Sequence, residues 1–255
     1  MTEGRVGLRS LRNFAGGLAL AAVIAPISPL GAHAQPVNFP PPATISQSPR
    51  WHLFFGLDAA ERSFFGHAGL IWAPFETLHQ SGFRVRYEGT IGLFDYLAGS
   101  REITGLLATD ALMAGFEWMN EAAAVSVYAG PALQYQDTDP YDPGKPRQGT
   151  RFGGKVLVES WVRPAKGWFV NTSATYTSAA QTYAARFAVT APLNEYFAIE
   201  PEFVAFGEPG YDQQRYGLLY VYAPVPDLLL KFGGGLALDP DDEGAYAALQ
   251  VKMWK

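Results

Sequence analysis

Residues 159–176 read ESWVRPAKGWFVNTSATY, and this stretch decides the fold. Two runs alternate large apolar residues with polar or small ones, and Pro164, Ala165, Lys166 and Gly167 join them. Side chains alternate faces along a strand, so the stretch predicts a β-hairpin with one apolar side. Trp161 and Trp168 flank the link, and Tyr176 stands at the far end. An indole is mostly apolar but carries an N–H that seeks water, so it settles where hydrocarbon meets water. The hairpin therefore reads as one that crosses a lipid layer, with Trp161 and Trp168 at one interface and Tyr176 near the other.

The same grammar continues from Arg50 to the C-terminus. Strand-like runs fall at about 50–58, 64–73, 83–95, 103–118, 121–136, 151–163, 168–178, 182–191, 196–206, 215–223, 228–238 and 245–254. No stretch carries a helical period of useful length. Phe83, Val85, Tyr87 and Ile91 share a face opposite Arg84, Arg86, Glu88 and Thr90. Val125, Val127, Ala129, Leu133 and Tyr135 oppose Ser126, Tyr128, Gln134 and Gln136. Tyr183, Phe187 and Val189 oppose Arg186 and Thr190, while Phe197, Ile199, Phe203 and Ala205 oppose Glu200 and Glu202. In the last run Ala247, Leu249, Val251 and Met253 oppose Gln250 and Lys252.

Links between the runs alternate in character. One set, near 120 and at 164–167, 193–195 and 224–226, is short; the stretch 74–82 is its exception. The other set includes longer polar members at 95–102, 137–150, 207–215 and 239–245. Bacterial outer-membrane barrels pair tight periplasmic turns with longer external loops. A soluble sandwich would instead turn its apolar faces inward, and would have no reason to gather aromatics beside turns. Trp72, Trp118, Tyr196 and Tyr222 also fall beside the short links; Tyr87, Tyr135, Tyr183 and Tyr216 suit the bands as well, and Trp254 ends the last run. The predicted fold is all-β: a closed, antiparallel, up-and-down transmembrane β-barrel of about 12 strands at 50–255, located in the outer membrane. Lipid offers unpaired backbone groups no partner, which forces closure. By parity Lys255, not Trp254, continues the lipid-facing row.

The first 34 residues read as a processing signal. Arg5, Arg9 and Arg12 precede an apolar stretch that ends at Ala32, His33 and Ala34, a small-x-small cleavage pattern. Residues 35–49, QPVNFPPPATISQSP, read as an extended periplasmic leader. The formal net charge of the whole chain is −5; loss of three arginines and Glu3 takes it to −7, which gives no footing for nucleic acid. The chain has no cysteine, so disulfides, thiolate metal sites and cysteine nucleophiles are excluded.

Parity turns Arg84, Arg86, Glu88, Lys155, Glu159, Arg186, Glu200, Glu202 and Lys231 toward the interior. Charges of both signs there either pair across the barrel or line a watery channel, and pairing is the favoured reading. Phe94, Tyr96, Tyr141 and Tyr211, read as external-loop aromatics, are candidates for stacking on sugar faces. Chemistry finds little footing. His52, His67 and His79 remain after the signal, and no hydrolase motif surrounds His67, although Ser63 is near it in sequence. Asp137, Asp139 and Asp142 lack the glycine and closing glutamate of a calcium loop, and Asp241, Asp242 and Glu243 read the same way. No catalytic residue, metal or cofactor is assigned.

Five stretches carry a family resemblance: AGLIWAPF (68–75), GFRVRYEGTIG (82–92), GTRFGGKVLVESW (149–161), SAAQTYAARF (178–187) and GEPGYDQQRYG (207–217). Together they make the chain resemble the bacterial cellulose biosynthesis protein BcsS family across nearly all of 50–255. The resemblance implies cellulose production or export; the expected role is a non-enzymatic accessory to cellulose secretion set in outer-membrane lipid, with cellulose and other components of the cellulose synthase complex as candidate partners. It supplies no catalytic residues. An outer-membrane enzyme acting on lipid or polysaccharide, and a small-solute porin, are the alternatives.

Overall fold

The structure is a computed structural model that describes residues 49–98, 100–142, 148–209, 211–239 and 243–255. The expected signal at 1–34 and all of the leader but Pro49 lie outside the described residues, as do Asp241 and Asp242. Twelve strands run in order: β1 (Trp51–Ala60), β2 (Ser63–Trp72), β3 (Gly82–Ala98), β4 (Arg101–Met119), β5 (Ala123–Asp139), β6 (Gly149–Ala165), β7 (Trp168–Thr177), β8 (Thr182–Pro192), β9 (Phe197–Glu208), β10 (Tyr211–Val225), β11 (Leu228–Leu238) and β12 (Glu243–Trp254). Every strand pairs antiparallel with its sequence neighbours, and β1 pairs with β12 to close the barrel. The seam is zipped to its last residue: the Lys255 carbonyl accepts from the amides of Arg50 and Trp51. Closure leaves no edge to satisfy.

The apolar faces point outward. Phe187 is 46% exposed and Phe232 47%, and their row neighbours Leu249, Leu218 and Ile91 are exposed too. Val125, Phe187, Phe203 and Val251 share no common centre. Aromatics gather at the tight-turn rim: Trp51 stacks on Trp72 at 5.3 Å, Phe116 meets Trp118 at 4.9 Å and Phe197 stacks on Tyr222 at 4.7 Å. Higher on the outer wall, Tyr87 donates to Asp110 at 2.6 Å and Tyr183 to Asp212 at 2.5 Å. The tight turns are shaped locally by their side chains. The Asn120 carbonyl accepts from the amides of Ala122 and Ala123, Asn194 does the same for Tyr196 and Phe197, and Gly167 takes a φ of 77°.

Two expectations are corrected. The asymmetry between the two ends lies in strand length more than in loops. β3 to β6 run 17 to 19 residues against 10 for β1, β2 and β7, so one wall projects beyond the rest. Segments read as loops at 95–102 and 207–215 are largely strand, because pairing continues to Ala98↔Arg101 and Glu208↔Tyr211. Backbone hydrogen bonding outlasts the apolar pattern there. Trp161 is the other correction. It pairs with Asn171 on the inner face beside Glu159 and Arg163, so proximity to the turn gave the wrong side and parity the right one.

Candidate functional site

The interior divides into two halves. Toward the projecting wall it is filled by side chains: Ile103, Gln134, Gln136, Gln213, Arg215 and Tyr246 are all buried. Arg215 pairs with Asp58, takes the Gln213 side-chain carbonyl at 2.6 Å, and lies over the rings of Phe206 and Tyr246 at 5.0 and 5.1 Å. Glycines make room for this filling. The Tyr246 hydroxyl rests where a side chain on Gly217 would begin, and from there donates to Glu202 at 3.0 Å. Phe54, Phe65, His67 and Phe94 likewise lie over their cross-strand partners Gly69, Gly92, Gly56 and Gly105.

At mid-height two ion-pair clusters occupy the barrel interior. In the first, Arg86 donates to Glu88 at 2.6 Å and to Glu159 at 2.7 Å, and Lys155 pairs with Glu88. The Arg86 guanidinium also sits over Phe54 at 4.9 Å. In the second, Glu200 is fully buried and accepts from Lys231 at 2.7 Å, Arg186 at 2.7 Å and Thr190 at 2.5 Å. Glu202 takes a further bond from Arg186 at 2.8 Å. Each carboxylate meets cations, and at the fully buried Glu200 an unpaired charge would cost several kcal/mol.

Below the clusters a cavity of about 630 Å³ reaches the tight-turn rim. Its walls include His52, His67, Trp161, Phe169, Asn171, Lys252 and Trp254. His52 stacks flat on Trp254 at 4.9 Å, so Trp254 points inward, as parity requires of the residue before Lys255. The stretch 73–81, the long member of the short set, folds over this end. Arg84, wholly buried on β3, pins it by donating to the carbonyls of Thr77 at 3.3 Å and Gln80, while also bonding Glu117 at 3.1 Å. The Leu78 amide bonds the Pro49 carbonyl at 2.8 Å, and Leu78 and His79 line the cavity. Burial and the neighbouring Arg84 charge lower the pKa of His79.

Of the nine charged positions read as inward, Arg86, Glu88, Glu159, Arg186, Glu200 and Lys231 line this cavity. Lys155 and Glu202 join the clusters from behind, and Arg84 anchors the folded-over turn. Of the aromatic candidates, Phe94 and Tyr96 stack on one another at 6.0 Å, but the four do not form a loop cluster. Phe94, Tyr96 and Tyr211 lie on strands, with Phe94 over Gly105, Tyr96 donating to Asp142 at 2.8 Å and the Tyr211 hydroxyl accepting from Gln213 at 2.9 Å. Tyr141 alone of the four is strongly exposed and outside a strand. Asp142 serves Tyr96, while Asp137 and Asp139 take the outward parity of Leu133 and Tyr135, and among the described residues no three acids or histidines converge as a metal site. Lys252, Arg163 and Trp161 were the inner residues a site reading missed; parity with Gln250 and Glu159 is the signal that finds them.

The family model for cellulose biosynthesis protein BcsS matches residues 52–255. The chain belongs to this family. No curated protein matches it at a significant level. Among solved structures, the BcsS barrel is similar to the KdgM porin, at 6% identity and a TM-score of 0.47, covering 79% of this chain and 98% of that one. The translocator domain of the autotransporter NalP from Neisseria meningitidis is similar at 8% identity and a TM-score of 0.47, covering 83% and 90%. The CymD monoaromatic hydrocarbon channel gives 8% identity and a TM-score of 0.46, covering 82% and 89%. The BcsS chain is thus a barrel protein linked by family to cellulose biosynthesis.

Proposed function

We propose that this BcsS protein is an outer-membrane barrel that assists cellulose secretion without catalysing a reaction, and that it organises the export site rather than conducting the polymer. One observation carries the reading against conduction. Arg86 and Glu159 bridge the interior at 2.7 Å, and the half above them is filled by buried side chains. A glucan chain has no clear path past that layer in this conformation. The apolar outer wall and its aromatic rim support placement in a bilayer. Cellulose and synthase components are its partners in this reading, and the exposed Tyr141 beside the projecting wall is the loop aromatic best placed for glycan contact.

Support for a non-enzymatic role comes from the histidines. His52 Nε2 is buried without a hydrogen-bond partner, and His67 lies over Gly56 about 13 Å along the strand from Ser63. Neither has the nucleophile contact that acyl transfer needs. The test is cellulose output from cells carrying alanine at His52, His67 and His79 together. Wild-type output from a folded triple variant, with loss of output on deleting the whole protein, is the expected result. Abolished output from the folded triple variant overturns it.

A further inference from the structure

The cavity wall holds charge that its own acids do not neutralise. Every cavity-lining carboxylate is committed: Glu200 to Lys231 and Arg186, Glu159 to Arg86, Glu88 to Arg86 and Lys155, Glu117 to Arg84. Two lining cations remain. Neither Lys252 nor Arg163 has an ion-pair partner among the described residues, and Arg163 Nε is buried with no hydrogen bond. Near Lys252, His52 Nε2 is a second buried polar atom of the cavity wall without a partner. Arg186 and Lys231 stand within electrostatic range of Lys252, and so do Glu159 and Glu200, but those two carboxylates are already ion-paired to Arg86 and to Lys231 and Arg186. Buried cations of this kind are costly unless an anion joins them.

We propose that the cavity at the tight-turn rim is a binding site for an anionic ligand, whose carboxylate or phosphate group is held by Lys252, with Arg163 facing the same space from the opposite wall. The same cavity supplies an apolar flank. Arg163 lies over Phe169 at 5.2 Å and Trp161 at 6.0 Å, and Trp254 faces the space from β12. A volume of about 630 Å³ admits a ligand well above the size of a bare ion. Asn171 and Gln250 add amide groups for neutral hydroxyls. The site recognises charge first and a ring second. It goes beyond the cellulose reading and does not rest on it.

The test is calorimetric titration of the full chain in detergent micelles with glucuronate, inorganic phosphate and cellobiose. Glucuronate binds and cellobiose does not, and raising the salt concentration weakens binding. Lys252→Gln lowers glucuronate affinity at least tenfold, Arg163→Gln lowers it severalfold, and Lys252→Arg retains it. Heat-modifiable migration on gels verifies that each variant is a barrel. Binding of glucuronate without phosphate assigns a sugar-borne acid, and equal binding of both assigns the free oxyanion; either supports the site. Cellobiose binding as well as glucuronate, no anion binding at all, or K252Q binding like the wild type overturns it. Cellulose output is a separate readout, so failure here leaves the secretion reading standing.

Discussion

Arg86 on β3 meets Glu159 on β6 at 2.7 Å, although two whole strands lie between theirs in the barrel wall. The bond is a chord that spans part of the interior, whereas Glu200 ties the nearby strands β8, β9 and β11 together along one wall. Their environments differ. The Glu159 side chain is 35% exposed and that of Glu200 is 0% exposed. Glu200→Gln leaves Lys231 and Arg186 without their shared anion in a dry setting and costs about 3–5 kcal/mol. Glu159→Gln is softened by solvent and costs about 1 kcal/mol or less. Urea unfolding in lipid vesicles measures both, and an equal or reversed ranking refutes this account.

Gly217 is required by Tyr246. A Cβ at 217 would stand 1.8 Å from the Tyr246 hydroxyl, which itself donates to Glu202. Gly217→Ala is expected to cost about 1–3 kcal/mol through overpacking. Tyr246→Phe in the same chain relieves part of it, so the two changes are coupled rather than additive. A double-mutant cycle by urea unfolding decides; simple additivity speaks against the contact.

The turn at 73–81 is held closed by Arg84. Arg84→Met removes the donor that serves the Thr77 and Gln80 carbonyls and loosens the turn over the cavity. Thermolysin is expected to cut the variant within 74–81, at Phe75 or Leu78, while the wild type resists. Mass spectrometry of the fragments locates the cut, and equal resistance removes Arg84 from this role.

Stability should depend on pH through His79. Burial and Arg84 hold its folded pKa below the ordinary value. The unfolded chain takes up the proton near pH 6.5, whereas the folded chain resists it. Below about pH 6.5 the unfolded state binds more protons, so stability falls as pH falls. His79→Gln flattens this slope below about pH 6.5. An unchanged slope in the variant assigns the pH dependence elsewhere.

The indoles divide by face, and lipid quenchers report it. Trp168 is 44% exposed on the outer wall, whereas Trp161 lines the cavity. In vesicles of brominated lipid, Trp168→Phe lowers the quenched share of the fluorescence and Trp161→Phe raises it. Opposite signs are the expected result, and a matching sign for both variants places Trp161 in lipid after all.

The amphipathic rows at 83–91 and 197–205 were legible as strands because period-two alternation is a local property, written in each segment by itself. The inward side of Arg86, Glu200 and Lys231 followed from the same parity. The ends of the strands were not legible. At 95–98 and 211–215 the residues are polar on a projecting wall, and only a paired neighbour tells a strand there from a loop. The length of the stretch 73–81 has no local explanation in sequence; its place over the barrel end depends on Arg84 beneath it.

The sequence by itself determined which face of each ribbon is apolar, how many ribbons there are and that they must close, since those follow from side-chain chemistry and the hydrogen-bonding demand of the backbone. Only the tertiary structure decided that Arg86 reaches Glu159, that Tyr246 crosses to Glu202, and that Lys252 and Arg163 face a cavity whose carboxylates are all paired with other cations. Register, stagger and girth bring distant strands within a few ångströms of one another, and no local pattern encodes those distances.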